Sequence, residues 1–149
     1  MNIFNELGNI YFEIDNLYAT KEFDAHVKGH IGRQLQFQRK RALNDQAYFL
    51  FMFSRLEDRI KTLSENLIKR KVANISNYKN NRAWNIIEDK QLNLMQKTSF
   101  LTRHAGTDYN LIFKYKKHRD TIAHGGLITI INMPGIISDF HRIYNTLWK

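Results

Sequence analysis

Apolar residues recur at three- and four-residue steps through most of the 149-residue chain, a spacing that places them on one face of a helix. The first such series predicts a helix of about 18 residues and consists of Ile3, Leu7, Ile10, Ile14, Leu17 and Tyr18. Glycine and proline, which interrupt helices, do not occur between Gly32 and Gly106. The pattern therefore predicts an all-α fold.

The polar segment that follows the first helix, with Gly29, Gly32 and a basic end at 39–41, is either a connection or a solvated helix. A second helix is predicted from Asn44, a suitable N-cap, to Lys71. Phe49, Phe51 and Phe53 alternate as in a strand. The apolar series continues without a breaker at helical spacing, however, through Leu56, Ile60, Leu63 and Leu67. A helix that is apolar on nearly every side must be covered, either inside a bundle or by a partner chain.

Glycine, proline and changes in the spacing of apolar residues divide the rest of the chain into shorter elements. They predict a loop at 72–80, a short helix around Trp84, a helical stretch near 92–104, a helix capped by Thr107 or Asp108, and a last helix from Pro134 that carries Trp148. The β-branched run at 127–131 predicts at most one short extended segment. We therefore expect a single domain, residues 1–149, built as an all-α bundle of about five helices.

The charge of the chain narrows the class of partners. Lysine and arginine number 23 against 14 acidic residues, which gives a formal net charge of +9 and an isoelectric point near 9.8. Such an excess favours polyanions, because neutralising phosphates releases counterions. The chain has no cysteine, which excludes disulfides, thiolate metal sites and cysteine nucleophiles. It also has no glycine-rich phosphate loop.

The amino-terminal sequence bears on the location of the protein. It carries Asn5, Glu6, Glu13 and Asp15 where a secretory segment would need cations followed by an apolar run. No uncharged stretch approaches the length that spans a bilayer. We expect a cytoplasmic protein that does not associate with membranes.

Residues 114–126 concentrate cations, histidine and a helix end within a few positions. Asp120 follows Arg119 directly, His124 comes four residues later, and Gly125 can end the helix with a positive φ. This context resembles the HEPN family, helical domains that often act as metal-independent ribonucleases and use an Arg-x4–6-His motif with a polar residue after the arginine. The matching residues are Arg119, Asp120 and His124.

The chemistry of RNA cleavage explains why these residue types would be used. Without a metal, a base must take the 2′-hydroxyl proton, an acid must protonate the leaving 5′-oxygen, and cations must surround the phosphate. Histidine suits the proton transfers and arginine binds phosphate with two parallel hydrogen bonds. His124 is therefore the candidate general acid or base, Arg119 the phosphate ligand, and Asp120 the acceptor that holds the His124 ring. The candidate substrate-binding groups are Lys114, Lys116, Lys117 and His118.

Geometry and stoichiometry both constrain this site. Residues five apart on an ideal helix diverge by about 140°, so Arg119 and His124 can face one phosphate only if the helix unwinds at His124. One histidine per chain is also short of an acid and a base. Two copies related by a two-fold axis would supply both, and the resemblance implies such a composite cleft in a homodimer.

The resemblance also implies a setting for the reaction. It implies a toxin-like or defence-associated enzyme that acts on RNA and needs no cofactor. An antitoxin or a nucleotidyltransferase accompanies many members of the family, so the resemblance implies a restraining partner of one of these kinds.

Other interpretations of the same residues stay open. His124 also suits a helix C-terminus as a cation, and Arg119 suits a surface ion pair. The domain would then be a non-catalytic helical module that binds RNA or a partner protein, or an unrelated regulator, although no helix-turn-helix signature favours the latter. A metal site at Asp24, His26 and His30 would use the i, i+4 spacing of the two histidines, but Gly29 weakens that helix.

Overall fold

The computed structural model of the protein describes residues 3–76, 78–126 and 128–147. In these ranges the chain forms helices joined by short turns and contains no strand. The helices are α1 (Ile3–Val27), α2 (Ile31–Ala73), α3 (Tyr78–Glu88), α4 (Leu94–Ser99), α5 (Thr107–Ala123) and α6 (Met133–Thr146). The predicted all-α fold of about five helices is confirmed. Residues 128–131 are irregular, while Leu127 and Trp148 lie outside the described residues.

The helices belong to two compact units. The first comprises Met1–Ser54 and Lys116–Arg142, and the second comprises Arg55–Tyr115 and Ile143–Lys149. The first unit contains all of α1 and the second contains α3 and α4, whereas α2, α5 and α6 each contribute to both. Within the described ranges, no helix combines the length and the apolar character that crossing a membrane requires.

The core of the first unit is an aromatic cluster, formed by Phe4, Phe49, Phe53 and Phe140. All four side chains are fully buried. Phe140 of α6 contacts the other three, with ring centroids 5.8 to 6.2 Å apart, and the two α2 rings stack at 6.1 Å. The aromatic run of α2 therefore serves mainly as core, although Phe51 remains 47% exposed.

Polar contacts hold α1 against the first half of α2. Arg41 forms a two-pronged ion pair with Asp15, at 2.8 and 3.1 Å, and a third contact of 3.1 Å with Glu22. The hydroxyl of Tyr11 donates to Asp45 at 2.7 Å, and burial together with this bond raises the pKa of the phenol. Burial also raises the pKa of the Asp45 carboxyl. These contacts explain how a strongly polar stretch of α2 stays helical.

The predicted length of α1 and the predicted start of α2 were wrong, because polar sequence carries no apolar period; of the two interpretations of the segment with its basic end at 39–41, the helix is the one observed. α1 is longer than predicted, and α2 begins at Ile31 instead of Asn44, which lies inside the helix. The segment at 31–43 lacks an apolar stripe, and its ion pairs with α1 compensate for this. Gly29, with φ +69°, makes the turn between the two helices.

The later helix boundaries also differ in detail. α4 covers only six residues and begins with a capping box between Asn93 and Gln96. The residue before α5 is Gly106, whose carbonyl accepts the amide of Asn110, so Thr107 is already helical. Asn132, with φ +63°, precedes α6 and accepts the amide of Gly135 at 3.1 Å through its side chain. Each boundary is set by a hydrogen bond that apolar periodicity does not report.

The second unit has an aliphatic core. Its fully or nearly buried side chains come from α2, α5, α6 and the segments after α4 and α6: Leu56, Ile60, Leu101, Ile112, Tyr115, Ile143 and Leu147. Lys97 of α4 forms a 3.1 Å ion pair with Glu65 of α2, and Trp84 packs against Phe100 with ring centroids 5.7 Å apart. The ion pair attaches α4 to α2, and the aromatic contact attaches α3 to the residue that follows α4.

The aromatic cluster should dominate the stability of the first unit. We expect Phe140→Ala to lower the free energy of unfolding by about 3–5 kcal/mol, because it removes a buried ring and leaves a cavity. Phe23→Ala is the control, since that ring is 66% exposed, and it should change the value by less than about 0.5 kcal/mol. Urea denaturation followed by circular dichroism measures both. Equal effects of the two substitutions would contradict the assigned core.

Candidate functional site

The end of α5 carries the candidate motif on a well-defined turn. The amide of His124 still donates to the carbonyl of Asp120 at 3.1 Å, so His124 remains in the helical ladder. Gly125 then takes φ +80°, and the amides of Gly125 and Gly126 donate back to Ile122 and Thr121 at 3.0 and 2.9 Å. This is a Schellman motif, which satisfies the last helical carbonyls. The expected capping role of Gly125 is confirmed.

Both glycines of this turn are needed for different reasons. A side chain on Gly125 would be strained by the positive φ. A Cβ on Gly126 would lie 2.7 Å from Cγ2 of Thr121 and 2.8 Å from its carbonyl oxygen. The helix therefore unwinds at Gly125, one residue beyond His124, and not at His124, where unwinding is needed for Arg119 and His124 of one chain to face the same phosphate.

Arg119 lies between an acid and the aromatic core. Its Nη1 is 2.9 Å from Oδ1 of Asp120. Its guanidinium carbon lies 5.8 Å from the ring centroid of Phe53, a cation–π distance. The side chain is 31% exposed, so the packing against Phe53 restricts the guanidinium without removing it from solvent.

Asp120 is the centre of a small charged cluster. Nζ of Lys116 donates to its Oδ2 at 2.5 Å, while Arg119 contacts the other oxygen. The hydrogen bond from Lys116 is the main reason that the pKa of Asp120 lies below its usual value, and the charges of Arg119 and His124 act in the same direction. The carboxylate therefore stays ionised and anchors both cations.

The expected hydrogen bond between Asp120 and the His124 ring is not observed. The described contacts of the Asp120 carboxylate are with Lys116 and Arg119, and the ring of His124 is exposed without a hydrogen bond to any described residue. Asp120 lies one turn before His124 in α5, but its charge acts on the ring only at a distance. Asp120 thus positions Arg119 rather than His124.

The four candidate substrate-binding residues differ in exposure: Lys116 and His118 are half-buried, whereas Lys114 and Lys117 are exposed. Lys116 is held by Asp120, and the ring of His118 packs beside Phe49 with centroids 6.1 Å apart, so both have structural contacts. Lys117 is exposed in the first unit. Lys114 is exposed in the second unit, where its Nζ lies 6.0 Å from the ring centroid of Tyr115.

Gln46 supports the site but was not singled out from the sequence. This side chain is buried on α2, and its Nε2 donates to the carbonyl of Ile128 at 2.9 Å. The bond attaches the segment after the glycine turn to α2. The sequence offered one signal for this role: Gln46 lies just before the aromatic run 48–53. A polar side chain that is buried in such a place must find a hydrogen-bond partner.

The alternative metal site at Asp24, His26 and His30 required the two histidines to lie on one face of a helix, and the structure does not place them so. His26 lies in the last turn of α1, whereas His30 lies in the turn before α2, so the two histidines do not share a helix face. His26 is 3.4 Å from the amide oxygen of Gln34. Across the part of the chain that the structure describes, no three side chains of histidine, cysteine, aspartate or glutamate cluster as metal ligands would.

Comparisons with known proteins do not assign the chain to a family. A scan against protein-family models, a search of curated proteins and a search of solved structures each found no match.

The charged cluster around Asp120 predicts a specific pH dependence of stability. Because the pKa of Asp120 is lower in the folded than in the unfolded chain, its ion pairs stabilise the fold above about pH 5 and lose this effect as the pH falls below about 4. Asp120→Asn should therefore reduce the free energy of unfolding at pH 7, by less than about 1 kcal/mol because the cluster is partly exposed. The difference from wild type should shrink between pH 5 and pH 3.

Urea denaturation at several pH values measures this difference. Asp58→Asn is the matched control, because Asp58 is exposed and forms no ion pair with a described residue. It should have a smaller effect at pH 7. A difference for Asp120→Asn that grows as the pH falls would contradict the stabilising role of the carboxylate.

Proposed function

We propose that this protein is a metal-independent endoribonuclease of the HEPN type, toxin-like or defence-associated, that acts in the cytoplasm. The observation that carries the proposal is the position of His124, whose exposed ring directly follows the end of α5 and lies one turn beyond the Arg119–Asp120 pair. A histidine in this position can reach a substrate from solvent. Arg119 supplies a cation whose direction is restricted by Asp120 and Phe53.

In the proposed reaction the 2′-oxygen of a ribose attacks the adjacent phosphorus. The bond to the 5′-oxygen breaks, which leaves a 2′,3′-cyclic phosphate on one fragment and a 5′-hydroxyl on the other. One imidazole takes the proton of the 2′-hydroxyl, and a second group gives a proton to the departing 5′-oxygen. The role of Arg119 is to bind the phosphate oxygens as negative charge builds on them.

A homodimer would supply the second proton-transfer group. One chain presents a single motif histidine, and two motifs facing one cleft would provide an acid and a base together. The basic surfaces of two such motifs repel each other, and a bound phosphate backbone would relieve that repulsion. An antitoxin or a nucleotidyltransferase would be the partner that restrains the activity.

A second candidate function is favoured by one contact. Because Asp120 is already paired with both Lys116 and Arg119, the motif can also serve as a structural ion cluster. The protein would then be a non-catalytic helical module that binds RNA or a partner protein.

Substitution of His124 separates the two candidates. We expect purified protein to cleave RNA in the presence of a chelator, and His124→Ala to slow cleavage by about 10²–10⁴-fold, as the loss of a general acid or base does. Arg119→Ala should be comparably slow. Arg119→Lys should restore only part of the rate, because a point charge cannot reproduce the two-pronged phosphate contact.

His30→Ala is the matched control, since His30 is an exposed histidine in the turn between α1 and α2 of the same unit. It should cleave RNA at the wild-type rate. RNA methylated at the 2′-oxygen should not be cleaved by any variant, because it lacks the attacking hydroxyl. An unchanged rate for folded His124→Ala would exclude this residue from the reaction and favour the non-catalytic module.

The composite site makes a separate prediction about mixed chains. When wild type is refolded with a ninefold excess of His124→Ala, only about one wild-type chain in ten acquires a wild-type partner in a two-fold dimer. If both histidines are needed, activity per wild-type chain should fall by about tenfold. Light scattering on the same samples reports whether dimers form.

The control mixture contains wild type and the same excess of His30→Ala. Its activity per chain should equal that of wild type alone, because both kinds of chain are expected to be active. Activity that stays proportional to the number of wild-type chains in the His124→Ala mixture would show independent sites. A monomer that cleaves at the full rate would contradict the dimer directly.

A further inference from the structure

The second half of α2 carries a basic groove that the proposed cleavage reaction does not use. This open groove of about 640 Å³ lies in the second unit and is lined by Arg59, Leu63, Asn66, Lys69 and Arg70. We call it the α2 groove. Arg59, Leu63, Asn66 and Arg70 follow one another at steps of four, three and four residues, so they share one face of the helix. The distance from the first to the last is about 16 Å along the axis, longer than a single phosphate group.

The cations of the α2 groove, Arg59, Lys69 and Arg70, have no acidic partner in the part of the chain that the structure describes. Asp58 precedes Arg59 directly but forms no ion pair with it, and Glu65, the acid nearest to Lys69 and Arg70 in sequence, is paired with Lys97 at 3.1 Å. The dipole of α2 accounts for a cation in its last turn, such as Arg70, but its effect does not extend back to Arg59.

Arg59 is held in place by an aromatic ring instead of an acid. Its guanidinium carbon lies 5.0 Å from the ring centroid of Tyr144, which belongs to the same unit. Its Nε is buried without a hydrogen-bond partner among the described residues. The contact with the ring restricts the guanidinium, while its charge remains available to an anion.

We propose that the α2 groove binds the phosphate backbone of a single RNA strand, as a site separate from Arg119 and His124. The cations without acidic partners lie at the two ends of this length, Arg59 at one and Lys69 with Arg70 at the other, so they can bind separate phosphates of one strand. Leu63 provides apolar surface for a base or ribose, and the amide of Asn66 can bond to a base edge. The choice of RNA among polyanions rests on the proposed function, whereas the choice of a phosphate-bearing strand rests on the groove itself.

The test is a binding measurement with an RNA that cannot be cleaved. The probe is a fluorescently labelled oligouridylate, about 20 nucleotides long to exceed the groove, with every 2′-oxygen methylated. Affinity is measured at several salt concentrations. The triple variant Arg59→Gln, Lys69→Gln, Arg70→Gln should bind more weakly, and the slope of log affinity against log salt should become shallower by about 2, since each lost phosphate contact contributes about 0.7 for a single strand.

A matched control variant loses the same three positive charges as the groove variant, but at positions outside the groove. Lys61, Arg82 and Arg103 are exposed cations of the same unit that do not line the α2 groove. Their replacement by glutamine should leave the slope nearly unchanged. Because Arg59 also packs on Tyr144, the double variant Lys69→Gln, Arg70→Gln serves if the triple variant does not fold, and its slope should be shallower by about 1.4.

The outcomes separate this inference from the proposed cleavage. Equal slopes for the groove variant and its control would overturn the inference, and so would equal displacement of the probe by poly-L-glutamate, which would show recognition of negative charge alone. Loss of probe binding in the groove variant supports the site even if no RNA is ever cleaved. Conversely, the His124→Ala variant should bind the probe with the wild-type salt slope.

Discussion

The packing of α5 against the aromatic side chains of α2 is the constraint on which the candidate site depends. Phe53 lies beneath the guanidinium of Arg119, and Phe49 lies beside the ring of His118. Both phenylalanines are fully buried and share the cluster completed by Phe140. The motif residues are therefore positioned by the same side chains that stabilise the first unit, so a change in the core also changes the site.

Four acidic residues of the chain, Asp15, Glu22, Glu65 and Asp120, each form an ion pair within the fold. Arg41 is held by Asp15 and Glu22, Lys97 by Glu65, and the cations before the motif histidine by a single aspartate. With 14 acids against 23 lysines and arginines, this use of acids leaves other cations without partners. The excess charge is thus not spread evenly, and the α2 groove is one place where it accumulates.

The helical character of the chain and the capping of α5 could be predicted from sequence, because apolar spacing and glycine conformation are local properties. The start of α2 could not. The segment at 31–43 has no apolar stripe, and it is held by ion pairs between Arg41 and acids 19 and 26 residues away in sequence. Periodicity within one helix contains no information about contacts between two helices.

For the candidate site, the sequence by itself determined which residues stand together: a cation, an acid and a histidine before a glycine turn. The tertiary structure decided what each one contacts. It directs Asp120 to Lys116 and Arg119 instead of His124, and it places Gln46 against the carbonyl of Ile128. The physical reason is that spacing along a helix limits which neighbours are within reach, whereas packing and competition among hydrogen-bond partners select the contact that forms.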